Sequence, residues 1–415
     1  MAQSSKLVEE MVAQFLSRLP SKALMRFKCI CKSWYNLINS PSFVAQNLFN
    51  SMNNKFTSST CIIAKHTVLK DSSITDRNEI SDILQYGNND KKQILLSSLT
   101  LCDNLDGDDQ ELYCIIEDDL IIPFPLGRSS FNLYIVGHCD GIICLTSFLC
   151  DDDGDIALCN PSIKEFNHLP KSGIHLPPKN EDDYLNEYNV GFGYDSKAKV
   201  YKVVKIVDFS SSHPPRVEVY TLGADCWREI KAFVLGTISG QRSLQMYFKG
   251  IYYWSGFSYI TRELQYVFFA FDMSDELFYL IYPPEDAFGI YMNLAVWKES
   301  LLLVTHKEEA PKCFDLWLNE DSDFLKGSWT KYFTIKPIEV EIPLVFWKSN
   351  EILMVNVDRR IVSYNLDTQT LKCLPIHGAE DPLCICAINY VNSIISVKRN
   401  NKLKCVETYM WQNNN

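Results

Sequence analysis

The chain has 415 residues, 47% of them hydrophobic and 22% charged, with a net charge of −11. That length suits a small module joined to one large domain, and the apolar share is enough for a sizeable core. The acidic balance argues against a direct nucleic-acid partner, and no apolar run reaches membrane-spanning length, so a membrane partner is not expected either.

The fifteen cysteines are odd in number and scattered through strand-like runs such as Cys61-Ile62-Ile63. The two Cys-x-Cys pairs, Cys29/Cys31 and Cys384/Cys386, lack companions at zinc-binding spacing. They are expected to be buried thiols in a reducing compartment. With no apolar leader and no glycosylation sequon, the expected location is the cytosol, or cytosol plus nucleus. The charge is also unevenly spread. Residues 1–50 hold six Lys/Arg and two Glu, a net of +4 that leaves −15 for the rest. A basic head on an acidic body suggests two partners of opposite sign.

In chain order, the head comes first. Leu7, Met11, Phe15 and Leu19 recur every fourth residue with Val8, Val12 and Leu16 beside them, one wide helical stripe that Pro20 ends. Ser21 is placed to cap a second helix through Leu24, Phe27, Ile30 and Trp34 to Ile38. Ser40-Pro41 opens a third, with Phe43, Val44 and Leu48. Three short helices cannot bury all these positions among themselves, so a partner surface is expected.

From about Phe56 onward, short β-branched and aromatic runs alternate with Gly, Pro, Asn and Asp clusters, which is strand–turn–strand patterning. A hairpin signature repeats in it. Cys159…Phe166, Tyr220…Trp227, Phe271…Phe278 and Tyr364…Leu371 each span a polar turn, and Trp317…Trp329 is a looser relative. The steps between first members are 61, 51, 46 and 47 residues. Repeats of that length predict a β-propeller of six to eight blades of about 40–50 residues, with a tandem β-sandwich as the second choice. The tryptophans are expected mainly in blade cores.

Residues 7–48, with SRLP-x-K-x-L-MRFKC-x-CKSW at their centre, resemble the F-box. GHCDGIICL with ALCNPSIKEFNHLP, and GFGYDSKAKVYKVVKI with VEVYTLGADCWREI, resemble two blades of the plant F-box-associated, kelch-like domain. The resemblance implies an all-α F-box of three short helices over residues 6–50 and an all-β propeller over 56–400. It also implies a non-catalytic subunit with no cofactor, whose helices dock on a Skp1-like adaptor and, through it, on a cullin and a RING subunit. The adaptor-facing positions would be Leu7, Val8, Met11, Phe15, Leu19, Pro20, Leu24, Ile30, Lys32 and Trp34. Val8 stands where the family usually has proline.

The nearest likeness is to the S-locus F-box proteins of flowering plants, carried by MRFKCICKSWYNLINSPSFVAQNL, IPFPL at 122–126, GSWTKYFTI and PLVFWKSNEILM. It implies the pollen-side determinant of self-incompatibility, which marks secreted pistil ribonucleases for ubiquitin-dependent destruction. The acidic body suits such a basic target, and Asp106, Asp108, Asp109, Asp151, Asp153, Asp155, Asp182 and Asp183 are candidate contacts in turn-rich stretches, as is the cluster Glu117/Asp118/Asp119. The alternatives are an adaptor for another plant target in defence or hormone signalling, or a propeller protein outside the ligases.

Sharper chemistry finds little support. Asp151–Asp155 has Ile156 where a calcium loop needs glycine and Ser162 where it needs glutamate. His138 and Cys139 are adjacent on a strand and so point to opposite faces, which disfavours a nucleophile–base pair. Gly191-Phe192-Gly193 is too short for a phosphate loop.

Overall fold

The computed structural model describes residues 10–53, 59–69, 92–103, 112–121, 133–147, 155–174, 187–208, 214–239, 246–258, 260, 263–287, 291–307, 311–322, 324–358, 360–374 and 386–398.

The head holds four short helices: α1 (residues 10–16), α2 (Ser21–Phe27), α3 (Lys32–Ile38) and α4 (Pro41–Met52). The expected second helix is broken in two. Cys31 is extended at φ −158°, ψ 162°, and the break turns Trp34 edge-on to Phe27 with ring centroids 5.4 Å apart. Pro20, not Ser21, occupies the cap position of α2, and Ser21 is buried inside the helix. The Ser40 cap is as expected: its hydroxyl accepts from the Phe43 N–H at 3.3 Å, with Pro41 in the first turn.

The rest of the described chain is strands, apart from two single 3₁₀ turns. Blade 1 has β1 (Ser59–Leu69), β2 (Lys92–Asp103) and β3 (Leu112–Ile121). Blade 2 has β4 (Leu133–Cys139), β5 (Ile142–Ser147), β6 (Ile156–Asn160) and β7 (Glu165–His168). Blade 3 has β8 (Glu187–Asp195), β9 (Val200–Asp208), β10 (Arg216–Thr221) and β11 (Arg228–Ile230). Blade 4 has β12 (Gly236–Ile238), β13 (Met246–Phe248), β14 (Ile251–Ser258), β15 (Gln265–Asp272) and β16 (Phe278–Ile281). Blade 5 has β17 (Tyr291–Trp297), β18 (Ser300–His306), β19 (Lys312–Asn319) and β20 (Trp329–Ile338). Blade 6 has β21 (Val340–Phe346), β22 (Glu351–Asn356), β23 (Ile361–Asn365) and β24 (Thr370–Cys373). The last strand, β25 (Cys386–Asn389), returns to blade 1 and gives it the order β25-β1-β2-β3.

Six apolar clusters join these sheets pairwise around a ring, blade 1 to 2, 2 to 3, and so on until blade 6 meets blade 1. Each sheet has two faces to cover, and radial stacking covers both. A closed cycle of six such contacts is a propeller and excludes the tandem sandwich. Trp254, Trp297, Trp317 and Trp347 are buried in it, while Trp227 and Trp329 are half-buried at its margin.

The repeated sequence signature is the hairpin of each blade's third and fourth strands. Cys159 faces Phe166, Phe271 faces Phe278 and Tyr364 faces Leu371, and the Tyr220 and Trp227 rings lie 5.5 Å apart. In blade 5 the looser pair is not matched directly: Trp317 faces Lys331 and Trp329 faces Asn319. The turns share their chemistry. Asn160, Asp272 and Asn365 each accept on Oδ1 from the backbone N–H two residues on, and Lys164, Glu276 and Gln369 follow at φ 54°, 55° and 57°.

Between blades 3 and 4, the Lys202 ammonium pairs with Asp195 at 2.7 Å and Glu276 at 2.9 Å, and Arg228 grips Glu276 from outside. Burial opposes ionisation of Asp195, yet bonds from Lys202, the Ala198 N–H and the Ser274 hydroxyl hold its carboxyl down to about 2.

After β25 the chain runs on beneath blade 2. Tyr390 donates to the Gly141 carbonyl at 3.1 Å, Asn160 donates to the Ile395 carbonyl at 2.8 Å, and Glu165 accepts from Ser396 and the Val397 N–H. Gly141, at φ +82°, leaves room for this strap: a Cβ there would stand 2.5 Å from the Val391 carbonyl. Ile394 then enters a seventh cluster with Leu16, Leu24, Ile38 and Phe43, and Ile163 of the blade 2 turn packs on it. The head is thereby fixed to the propeller.

Candidate functional site

Alternating strand directions decide which ends of the strands share a face. The turns from first to second and third to fourth strand open on one side of the propeller, and the remaining connections on the other. The helices sit on the first side, because α2 meets the Pro161–Ile163 turn of blade 2.

On the helical head, burial divides the sequence-picked residues. Leu24 is fully buried, and Leu19 and Trp34 are half-buried against the same cluster. These three hold the helices together. Met11, Phe15 and Ile30 are 64%, 76% and 59% exposed, and Pro20 and Lys32 are exposed beside them in sequence. On α1, Val12, Ala13 and Leu16 face inward, which leaves Met11 and Phe15 on an outward face. Leu7 and Val8 lie outside the described residues. Tyr35, Phe49 and Met52, which the stripe did not single out, are exposed as well. Lys28 is half-buried over Glu165 of β7; burial depresses its ammonium below the ordinary value and Glu165 pulls the other way.

Of the acidic candidates, Asp155 is half-buried just before β6. Asp106, Asp108, Asp109, Asp151, Asp153, Asp182 and Asp183 lie outside the described residues, as does the 122–126 segment. Glu117, Asp118 and Asp119, expected in a turn-rich stretch, belong instead to β3: Ser98 pairs with Asp118 and Leu99 with Ile116, so Glu117 is the extra residue of a bulge.

Sequence patterning missed an apolar patch on blade 4. Phe233, Leu235, Phe257, Ile260 and Leu264 are 85%, 51%, 37%, 55% and 54% exposed. Gly236 pairs with Ser258, and Ser258 with Gln265, so all five gather at one end of that sheet, on the side away from the helices. The signal was the run Phe233-Val234-Leu235 just ahead of a short strand.

The His138–Cys139 pair sits at the end of β4, beside a turn at Asp140 and Gly141. Burial pushes the His138 imidazole down to about 4 and the Cys139 thiol well up, so neither is poised for chemistry near neutral pH. Cys29, Cys31, Cys139, Cys144, Cys159, Cys226, Cys313, Cys373 and Cys386 are free thiols. Cys139, Cys144 and Cys159 are buried as expected, but Cys29, Cys31, Cys226, Cys313 and Cys373 are exposed, since they fall at helix ends, sheet rims and turns. Among the described residues no group of three His, Cys, Asp or Glu is placed to hold a metal, and no helix is long and apolar enough to cross a membrane.

Comparison with known proteins matches residues 4–46 to the F-box domain and residues 90–407 to the F-box associated beta propeller domain. The F-box protein CPR1 of Arabidopsis thaliana is 24% identical over 399 residues, 88% of this chain and 84% of its own. An F-box/kelch-repeat protein of the same plant is 27% identical over 65% of this chain and 63% of its own. Among solved structures, TolB from Acinetobacter baumannii covers 84% of this chain and 72% of its own, at TM-score 0.40 and 9% identity. That likeness is too loose to carry an argument.

Proposed function

Because the chain belongs to the F-box proteins that carry an F-box associated beta propeller domain, we propose that it is the target-choosing subunit of a Skp1–cullin–F-box ubiquitin ligase. The head docks on a Skp1-like adaptor, and the far face of the propeller holds the protein to be ubiquitinated. One observation carries this reading: Met11, Phe15 and Ile30 stay exposed after the head has packed on the body. An exposed apolar set on short helices is what a helix-in-groove or helix-on-helix partner buries.

Catalysis on this reading is proximity. The rigid link through Ile394 and Ile163 sets where a bound target stands relative to the ligase's ubiquitin-charged enzyme, raising its effective concentration at target lysines. No side chain of this chain has to move a proton. The test is adaptor binding by M11D/F15D: binding is expected to vanish while the melting temperature stays put, because both residues are already in water. Full binding by that variant would overturn the docking face.

The target we propose is a basic secreted ribonuclease of the pistil, met in the cytosol of the pollen tube. The likeness to S-locus F-box proteins and the −15 charge of the body support it. The exposed blade 4 patch supplies an apolar anchor that charge alone would lack. Binding of such a ribonuclease, weakening as salt rises, is the expected result. A chain made chiefly in leaf, and indifferent to these ribonucleases, would favour the second reading, a defence or hormone-signalling target like those open to any plant F-box protein.

A further inference from the structure

Three exposed residues in a row, Cys29, Ile30 and Cys31, form the link between α2 and α3. Ile30, 59% exposed, belongs to the proposed adaptor-docking set, so a thiol stands on each side of an apolar contact. The two thiols are held differently. Cys29 donates to the Met25 carbonyl, Sγ to oxygen 3.9 Å. The Cys31 sulfur lies 3.1 Å from the Ser33 hydroxyl. The extended backbone at Cys31 turns this residue out of both helices and leaves it reachable from solvent.

We infer that the Cys29/Cys31 pair is a thiol-modification site, taking up glutathione from a low-molecular-weight disulfide, and that its occupancy blocks docking of the adaptor. The inference rests on the adaptor reading of the head. In the reaction a thiolate sulfur attacks one sulfur of glutathione disulfide. A new protein–glutathione S–S bond forms, the glutathione S–S bond breaks, and the departing thiolate leaves with the electron pair. Cys31 is the faster partner, because the Ser33 hydroxyl and the Trp34 N–H hold its thiol below the ordinary value. A charged tripeptide beside Ile30 would stand in the plane of an apolar contact and hold the adaptor off. Excess reduced glutathione reverses the step, so oxidation in the cytosol would pause target marking without unfolding the receptor.

The propeller carries its own controls, since Cys226, Cys313 and Cys373 are exposed on blades 3, 5 and 6 and not on the helices. The full chain would be treated with glutathione disulfide, mapped by mass spectrometry, and titrated against an immobilised Skp1-like adaptor. Expected is modification at Cys31 and Cys29 with a loss of affinity of about tenfold or more, restored by reductant. The C29S/C31S variant should keep its affinity under the same treatment although Cys226, Cys313 and Cys373 are still modified. Bound adaptor should shield Cys29 and Cys31, but not the other three, from N-ethylmaleimide. Unchanged affinity with both head thiols fully modified, or head thiols that stay reduced while the propeller thiols react, would overturn the inference and leave adaptor docking intact. Failure of the reduced wild-type chain to bind adaptor would overturn the docking reading and this inference with it.

Discussion

At the scale of single residues, burial separates side chains that build the head from those it offers. Leu24 and Phe15 are both apolar positions of the helical head in the sequence, yet one is sealed and the other is in water. Leu24→Ala should therefore cost about 2–5 kcal/mol of stability, the usual range for a fully buried leucine. Phe15→Ala should change stability by no more than about 0.5 kcal/mol while weakening adaptor binding. Denaturant unfolding and adaptor titration of the two variants give a crossed pattern if the division is right. A spacing of four residues revealed which positions are apolar, but not which of them the body would cover. That depended on Ile163 and Ile394, which arrive from distant parts of the chain. His138 gives a second residue-scale test. Its imidazole, held at about 4 by burial, is neutral in the folded chain and charged in the unfolded chain below its ordinary 6.5. Its contribution is complete above about pH 6.5 and is lost as the pH falls towards 4, by at most about 3 kcal/mol. H138Q should flatten that part of the stability–pH curve; a curve parallel to the wild type would show that other groups set it.

Among elements, the hairpin of third and fourth strands was the most legible feature, because its turn chemistry is local. An Asp or Asn that accepts its own downstream N–H groups marks the turn in the sequence itself. Blade 5 fitted loosely for a physical reason: its hairpin has bulges in β19–β20 that shift the aromatic partners out of register. The break between α2 and α3 was not legible, since no Gly or Pro marks it and only the Phe27–Trp34 contact shows why the chain folds back there. Two substitutions at one turn should move stability in opposite directions. Asn365→Ala removes the acceptor for the Asp367 and Thr368 N–H groups and should cost about 1 kcal/mol. Gln369→Gly relieves a positive φ and should gain up to about 1 kcal/mol. Thermal melts of the pair test this, and the same sign for both would refute the turn assignment. At the interface of blades 3 and 4, Lys202→Met would leave the buried Asp195 without its cation, while Glu276 would keep Arg228, a loss of about 3–5 kcal/mol.

For the whole molecule, the charge split was visible in composition and the ring in the repeat length, but how head and body are joined was not. That joint depends on contacts between residues more than two hundred positions apart, such as Asn160 with Ser393. Ile394→Asp should loosen the head while leaving the blades folded. Adaptor binding and propeller melting would both persist, but ubiquitination of a bound target should fall, because the span between the two faces would no longer be fixed. Equal ubiquitination rates would show that the joint is dispensable. The return of β25 to the first blade also has a temporal side. Until residues 386–398 have left the ribosome, β1 has only β2 beside it, the circle stays open, and Ile394 is missing from beneath the helices. The strand that closes the circle is thus made long after the strand it closes on, and it acts as a latch.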